Sequence, residues 1–240
     1  MAVIEPTPAT PPQTPANTPA AGWFYDARRG VHYTKPVMRG WLHLLWFAAS
    51  LVVSTFLLAQ AHGEARVASI AVYAASVSAL FGVSALYHCG TWSDAWRQRL
   101  QRLDHAMIFF LIAGTATPTF VVATGGGIGI VGLIVLWTLT GTAAAIHMAW
   151  MNAPERLVGG TFIALGWVAA LALPDVWIHS GAVPGMLMLA GCALYLTGAI
   201  SYHFRGPDPV PSVFGDHEVF HVFVCAAAAC QYAAIALYIA

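Results

Sequence analysis

The sequence predicts an all-α integral membrane protein, a seven-transmembrane helix bundle with a cytoplasmic N-terminus and the C-terminus outside. Of its 240 residues, 59% are hydrophobic and only 8% are charged, against about 25% charged in an ordinary soluble domain. The mean hydropathy is +0.70. The few charges separate long apolar stretches, and the basic residues gather on one side of the resulting spans. Together these observations predict a multi-pass helical membrane protein.

Charge and cysteine counts exclude other classes. Ten Lys and Arg residues balance ten Asp and Glu residues, so the chain lacks the excess positive charge that a nucleic-acid-binding protein needs. Four cysteines in a chain of this length do not make a secreted disulfide framework. The ten histidines equal the basic residues in number. That is unusual for a membrane protein, and it directs the search for function to the histidines.

The chain divides into three parts. Residues 1–22 contain six of the fourteen prolines, mixed with Thr, Ala and Gln, a composition that predicts a disordered tail. Residues 23–39 mix aromatic and basic residues, as a cytoplasmic interfacial segment does. Residues 40–240 form the predicted seven-helix transmembrane domain.

Uncharged stretches define the spans, because a transmembrane helix requires about 20 apolar residues. The stretch 105–154 is long enough for two helices and is interrupted by a glycine-rich turn at 124–129. Each of the other stretches holds one helix. The predicted spans are residues 41–61, 66–89, 104–123, 128–150, 157–173, 185–204 and 216–239.

The basic residues predict the orientation. With the N-terminus inside, the outer segments carry only Arg66. An excess of Lys and Arg marks the cytoplasmic side. Because the relevant excess is nine to one, the sequence predicts a multi-pass membrane protein with a cytoplasmic N-terminus and the C-terminus outside. The nine inner residues are Arg28, Arg29, Lys35, Arg39, Arg97, Arg99, Arg102, Arg156 and Arg205.

Histidines converge at the cytoplasmic ends of three spans. His217 and His221 are four positions apart, at the start of the seventh span, so their side chains share one helix face. His88 ends the second span at the same depth. Three neutral histidines with an open fourth position make a catalytic Zn²⁺ site. The alternative for the helical pair is hydrogen bonding between helices.

Two further polar residues are predicted at this depth. Asp104, at the start of the third span, is a candidate general base, and the alternative is an ion pair with Arg99 or Arg102. Ser84, one turn before His88, is a second catalytic candidate, and the alternative is a hydrogen bond within its own helix. His105 is a weaker candidate ligand, since it is expected to face away from the site.

Residues 217–221 also read His-Glu-Val-Phe-His, which is formally the H-E-x-x-H motif of zinc proteases with its Glu as base. The motif lies close to the C-terminus, and no later histidine follows His221. An intramembrane metalloprotease is therefore a minor alternative.

The ordered motifs resemble those of the hemolysin III proteins, the bacterial branch of the progestin and adipoQ receptor family. The resemblance covers residues 25–240 and implies an integral multi-pass protein of the bacterial inner membrane. It rests on Ser84-x3-His88, on Leu103-Asp104, and on His217-x3-His221. His43 is similar to a histidine found early in the first span of bacterial members, where a structural hydrogen-bonding role is expected.

The resemblance implies a zinc site with His88, His217 and His221 as ligands and with Asp104 contacting the zinc-bound water. Alkaline ceramidases are similar in pattern, which implies hydrolysis of a lipid amide or ester, with membrane lipids as partners and a lipid as substrate or ligand. The alternative is a receptor-like protein or a regulator of membrane homeostasis, in which zinc is structural. A lytic protein is less expected.

Overall fold

The computed structural model describes residues 23–26, 31–150 and 154–239. The predicted disordered tail, residues 1–22, lies outside the described residues. The chain separates into an N-terminal unit that ends at Lys35 and a helical unit that begins at Pro36. In the first unit, strand β1 (Trp23–Asp26) pairs antiparallel with strand β2 (Val31–Thr34). The predicted interfacial segment thus contains two short strands, which the sequence analysis did not predict.

The helical unit confirms the predicted fold class. Within the described residues, seven helical segments are long and apolar enough to cross a membrane. The helices are α1 (Trp41–Gln60), α2 (Glu64–Cys89), α3 (Asp94–Pro118), α4 (Gly126–Ala149), α5 (Glu155–Ala170), α6 (Leu173–Ser180), α7 (Ala182–Phe204) and α8 (Asp216–Ile239).

The third span begins ten residues earlier than predicted. Helix α3 starts at Asp94 rather than at Asp104, so its first turns carry Arg97, Arg99 and Arg102. Charged residues mark where a helix leaves the apolar layer, and they do not end the helix, because Arg is itself a good helix former. At about 1.5 Å per residue, Asp104 lies roughly 15 Å along α3.

The third and fifth spans are both irregular towards the end predicted to face outward. Helix α3 continues as a π-helical segment, Thr119–Thr124. The fifth span is built from α5 and α6 with a break between them. Pro174 lies in the first turn of α6, where its missing N–H costs no helical hydrogen bond. This span reaches Ser180 rather than the predicted residue 173.

The helices pack in chain order around the bundle. Helix α2 packs along both α1 and α3, α8 packs along α7 and α1, and α4 and α5 pack against α3. Helix α3 and its π-helical extension are the most buried span. Because α1, α2, α3 and α8 are neighbours, polar side chains at their shared end can meet inside the bundle.

Candidate metal centre

The structure brings together the three histidines predicted as ligands. His88 is the penultimate residue of α2, and His217 and His221 occupy the first two turns of α8. One ring nitrogen from each lies within 4.8 Å of the others. His88 and His221 are buried, and His217 is half-buried. The group lies at the end of the bundle that the basic residues assign to the cytoplasm.

A close approach of α1 to α2 supports this placement. Gly40 caps α1 with a φ of 86°, a left-handed conformation that glycine adopts without strain. A Cβ atom at Gly40 would lie 2.7 Å from the Cβ of His88. Only glycine therefore allows the start of α1 to pack against the residue that holds the His88 imidazole.

The donor set suits a metal ion. The Nε2 atoms of His88 and His217 are 3.1 Å apart. Two ligands about 2.0–2.1 Å from one ion in tetrahedral geometry would be about 3.4 Å apart. The carboxylate Oδ2 of Asp104 lies 3.8 Å from the same His88 nitrogen. The three histidines could therefore hold a metal ion with the carboxylate beside it.

Asp104 and Ser84 both lie at this group. The Asp104 side chain is 14% exposed, and among the described residues no ion pair joins it to Arg99 or Arg102. Arg99 instead stacks over Trp96. The Ser84 side chain interacts with the Asp104 carboxyl group. The carboxylate is thus directed towards the histidines.

His43 is also part of the group. Its Nδ1 atom is 2.8 Å from the hydroxyl oxygen of Ser84, so Ser84 bonds to a neighbouring helix rather than only within its own. The His43 ring stacks on His221 with centroids 3.7 Å apart. Phe81 packs edge-on against the other side of this ring. His43 thereby fixes both the serine hydroxyl and the plane of a candidate ligand.

The glutamate of the H-E-x-x-H motif is engaged elsewhere. The Nε of Arg39 donates to Oε1 of Glu218. The other carboxylate oxygen accepts the N–H of Gly215 at 2.8 Å, which is the reach-back of a helix capping box. The Glu218 side chain is 1% exposed. Both oxygens are committed to holding the start of α8, so Glu218 is poorly placed to act as a protease base.

Backbone hydrogen bonds reinforce the same junction. The N–H groups of Val37 and Met38 donate to the carbonyls of Ser212 and Val213 at 3.1 and 3.0 Å. The Asp208 carboxylate accepts the N–H of Asp216 at 3.1 Å. The segment before α1 is therefore fastened to the loop before α8, and the loop presents His217 in a fixed position.

Replacing Arg39 with alanine is expected to destabilise the protein by about 3 kcal/mol, because removing one partner of a buried ion pair leaves the other charge uncompensated. Arg99→Ala, at an exposed site, serves as the control. The free energy of unfolding in detergent measures the difference. Equal stability of the two variants would show that Glu218 does not depend on Arg39.

Sequence reasoning missed Arg39 and Glu218 as a pair, since 179 residues separate them. The spacing of Gly215 and Glu218 offered a partial signal of a helix start. His105, the weaker candidate ligand, is not one of the three grouped histidines, and its ring packs near His147 of α4, with ring centroids 5.5 Å apart.

Comparisons with known proteins identify the family of the chain. Residues 31–232 match the model of the Haemolysin-III related family. The chain is 27% identical over 182 residues to Hemolysin-3 of Bacillus cereus, covering 75% of this chain and 80% of that protein. It is 24% identical over 188 residues to a Hemolysin-3 homolog of Bacillus subtilis (strain 168), covering 78% and 85%. The matched region includes every residue of the histidine group.

Proposed function

Because the chain belongs to the Haemolysin-III related family, whose match spans the histidine group, we propose that it is a zinc-dependent hydrolase of a lipid amide or ester. The protein is an integral multi-pass protein of the bacterial inner membrane, as its seven spans and its bacterial relatives establish. Hydrolase activity is a more specific assignment than family membership. It depends on the chemistry of the three histidines and the Asp104 carboxylate.

One observation carries the proposal. Three imidazole nitrogens lie within 4.8 Å of one another, with the Asp104 carboxylate 3.8 Å from one of them. Imidazole donors suit zinc, copper, iron and nickel, and of these we propose zinc, which has no redox chemistry of its own. A purely structural site commonly has four protein ligands, whereas a catalytic site has three and an open position. Among the described residues, three histidines form the group, which favours an open position.

The histidines, Asp104 and Ser84 would each have a different role in hydrolysis. Zn²⁺ bound by the three histidines would polarise a carbonyl oxygen and lower the pKa of a bound water. The Asp104 carboxylate is placed to accept a proton from the attacking water and to return it to the leaving group. The Ser84 hydroxyl, held by His43 Nδ1 at 2.8 Å, has a single proton, which it can donate either to that carboxylate or to developing oxyanion charge.

The location of the site suggests a lipid substrate. The histidines lie on apolar spans at one end of the bundle, where a lipid headgroup and its first acyl bonds are found. The amide or ester bond of a membrane lipid lies at this depth, between the polar surface and the hydrocarbon core. Membrane lipids are accordingly the proposed partners, and one of them is the proposed substrate.

The test is release of fatty acid from defined lipids by zinc-loaded protein in nanodiscs. A ceramide supplies the amide, and a diacyl phospholipid supplies the ester. We expect mass spectrometry to detect fatty acid from one of them, and none from a His88→Ala, His217→Ala, His221→Ala triple variant. Absence of release from both lipids by zinc-loaded protein, or equal release by the triple variant, would contradict the hydrolase proposal.

A second function has one observation in its favour. His88 Nε2 and His217 Nε2 are within hydrogen-bonding distance at 3.1 Å, so these residues can join α2 to α8 directly. A metal at such a junction could be structural, as in a receptor-like protein or a regulator of membrane state. In that case, metal removal lowers the thermal stability, and the loss of the Asp104 carboxylate has little effect.

A further inference from the structure

A second site candidate lies at the opposite end of the bundle from the histidines. A cavity of about 420 Å³, open to the outside of the bundle, lies between α4, the π-helical segment and the α5–α6 region. Its volume falls in the range of small-molecule sites, about 300–1,000 Å³. The lining residues come from the last turns of the third span and the first turns of the fourth. Both of these lie at the end predicted to face outward.

The local backbone explains why the helices leave this space. The π-helical segment ends at Thr124, and Gly125 and Gly126 follow with φ of 61° and 58°. These left-handed glycines allow α4 to begin at once. Phe120 packs against Gly132, where a Cβ would lie 2.5 Å from the ring. The π-helical segment and the first turns of α4 contribute Phe120, Gly127 and Gly132 to the cavity wall.

The cavity is apolar along its length. Ile128, Val131 and Val135 line it from α4, and they extend over seven residues, or about 10 Å of helix. Val168 and Leu171 line it from the α5 side. Since α4 runs inward from its start, Ile128 is outermost and Val135 deepest. This wall matches a short hydrocarbon chain that lies parallel to the helices.

The outer end of the cavity is polar. Asp175, in the first turn of α6, lines the cavity. Among the described residues, its carboxylate has no ion-pair or hydrogen-bond partner. Thr124 also lines the cavity, but its hydroxyl oxygen is shielded from solvent, so Asp175 supplies the polar side-chain group that a ligand in the cavity can reach. Arg66, the basic residue predicted on this side, instead donates to the Ile239 carbonyl at 3.3 Å.

We propose that this cavity binds a single-chain amphiphile that carries a protonated amine. The ammonium group would pair with the Asp175 carboxylate, and the chain would lie along Val131 and Val135. An ammonium group has three donors and no acceptor, which complements the Asp175 carboxylate, a group that only accepts. The proposal does not depend on metal binding or hydrolysis at the other end of the bundle.

The test compares dodecylamine with dodecanol, which share a chain and differ in charge, on the full chain in nanodiscs of zwitterionic lipid. A ligand that binds the folded state raises the Tm in proportion to its affinity. We expect dodecylamine to raise the Tm of the wild-type protein more than dodecanol does. Asp175→Asn is expected to weaken the apparent amine affinity about tenfold or more, because it removes the charge and keeps the volume.

Two matched controls separate this site from general membrane effects. Glu64→Gln removes an outward acidic residue that does not line the cavity, and it should leave the amine effect unchanged. Val131→Trp fills the cavity and should abolish the effect of both ligands. Ile134→Trp, at a residue of α4 that is equally exposed but does not line the cavity, should not. Equal Tm shifts from amine and alcohol, no shift from the amine, or an unchanged amine shift in Asp175→Asn would overturn the proposal.

Discussion

Substitution of Asp104 with asparagine is expected to lower hydrolytic turnover by about 10²–10⁴-fold while bound metal remains, since general base catalysis is worth that much. Its carboxylate lies 3.8 Å from the His88 Nε2 atom. It is not one of the three candidate metal ligands, which are all histidines. Asparagine keeps the shape and the contact with Ser84, but it cannot accept a proton. Turnover of the lipid substrate and metal content are measured on the same preparation.

The control for this variant is Asp94→Asn, at the exposed start of the same helix, which should retain full turnover. A structural metal predicts a different result, in which Asp104→Asn changes neither metal content nor function. Wild-type turnover in Asp104→Asn would remove the carboxylate from the mechanism. Loss of metal in this variant would instead assign Asp104 to metal binding.

Replacing His221 is expected to have the largest effect on the metal site. His221→Phe keeps an aromatic ring to stack on His43, whose centroid is 3.7 Å away, but it removes the ligand nitrogen. We expect metal affinity to fall by more than about 100-fold, beyond the range typical of losing an outer hydrogen-bond partner. Equilibrium dialysis against a competing chelator measures the affinity.

His221→Ala separates ligation from packing. This variant also removes a side chain that is 2% exposed, so it should lose about 3 kcal/mol of stability as large-to-small core substitutions do. His203→Ala, at an exposed position, controls for removal of a histidine near the same end. Wild-type metal affinity in His221→Phe would show that His221 is not a ligand.

The seven spans could be predicted from the sequence because membrane thickness fixes the length of an apolar helix. The starts of some helices could not be predicted from the sequence. Arg97, Arg99 and Arg102 fall inside α3, although they end the apolar stretch, because a helix can extend beyond the membrane surface. The break before α6 was missed for a related reason, since the region around Asp175 was taken as the end of the span.

The histidine group could be predicted because topology alone brings the ends of the second, third and seventh spans to one side of the membrane. Contacts between distant segments could not be predicted in this way. The stacking of His43 on His221 depends on how α1 turns relative to α8. The Arg39–Glu218 pair depends on a segment outside the spans, where no periodic pattern constrains the chain.

The most direct test of the zinc site is the metal content of purified protein by mass spectrometry, measured beside the His88→Ala, His217→Ala, His221→Ala variant. We expect about one zinc per chain in the wild-type protein and none in the variant, as three neutral histidines require. A folded wild-type preparation that contains no metal and rebinds none would contradict the account. The histidines would then be a hydrogen-bonded junction between α2 and α8.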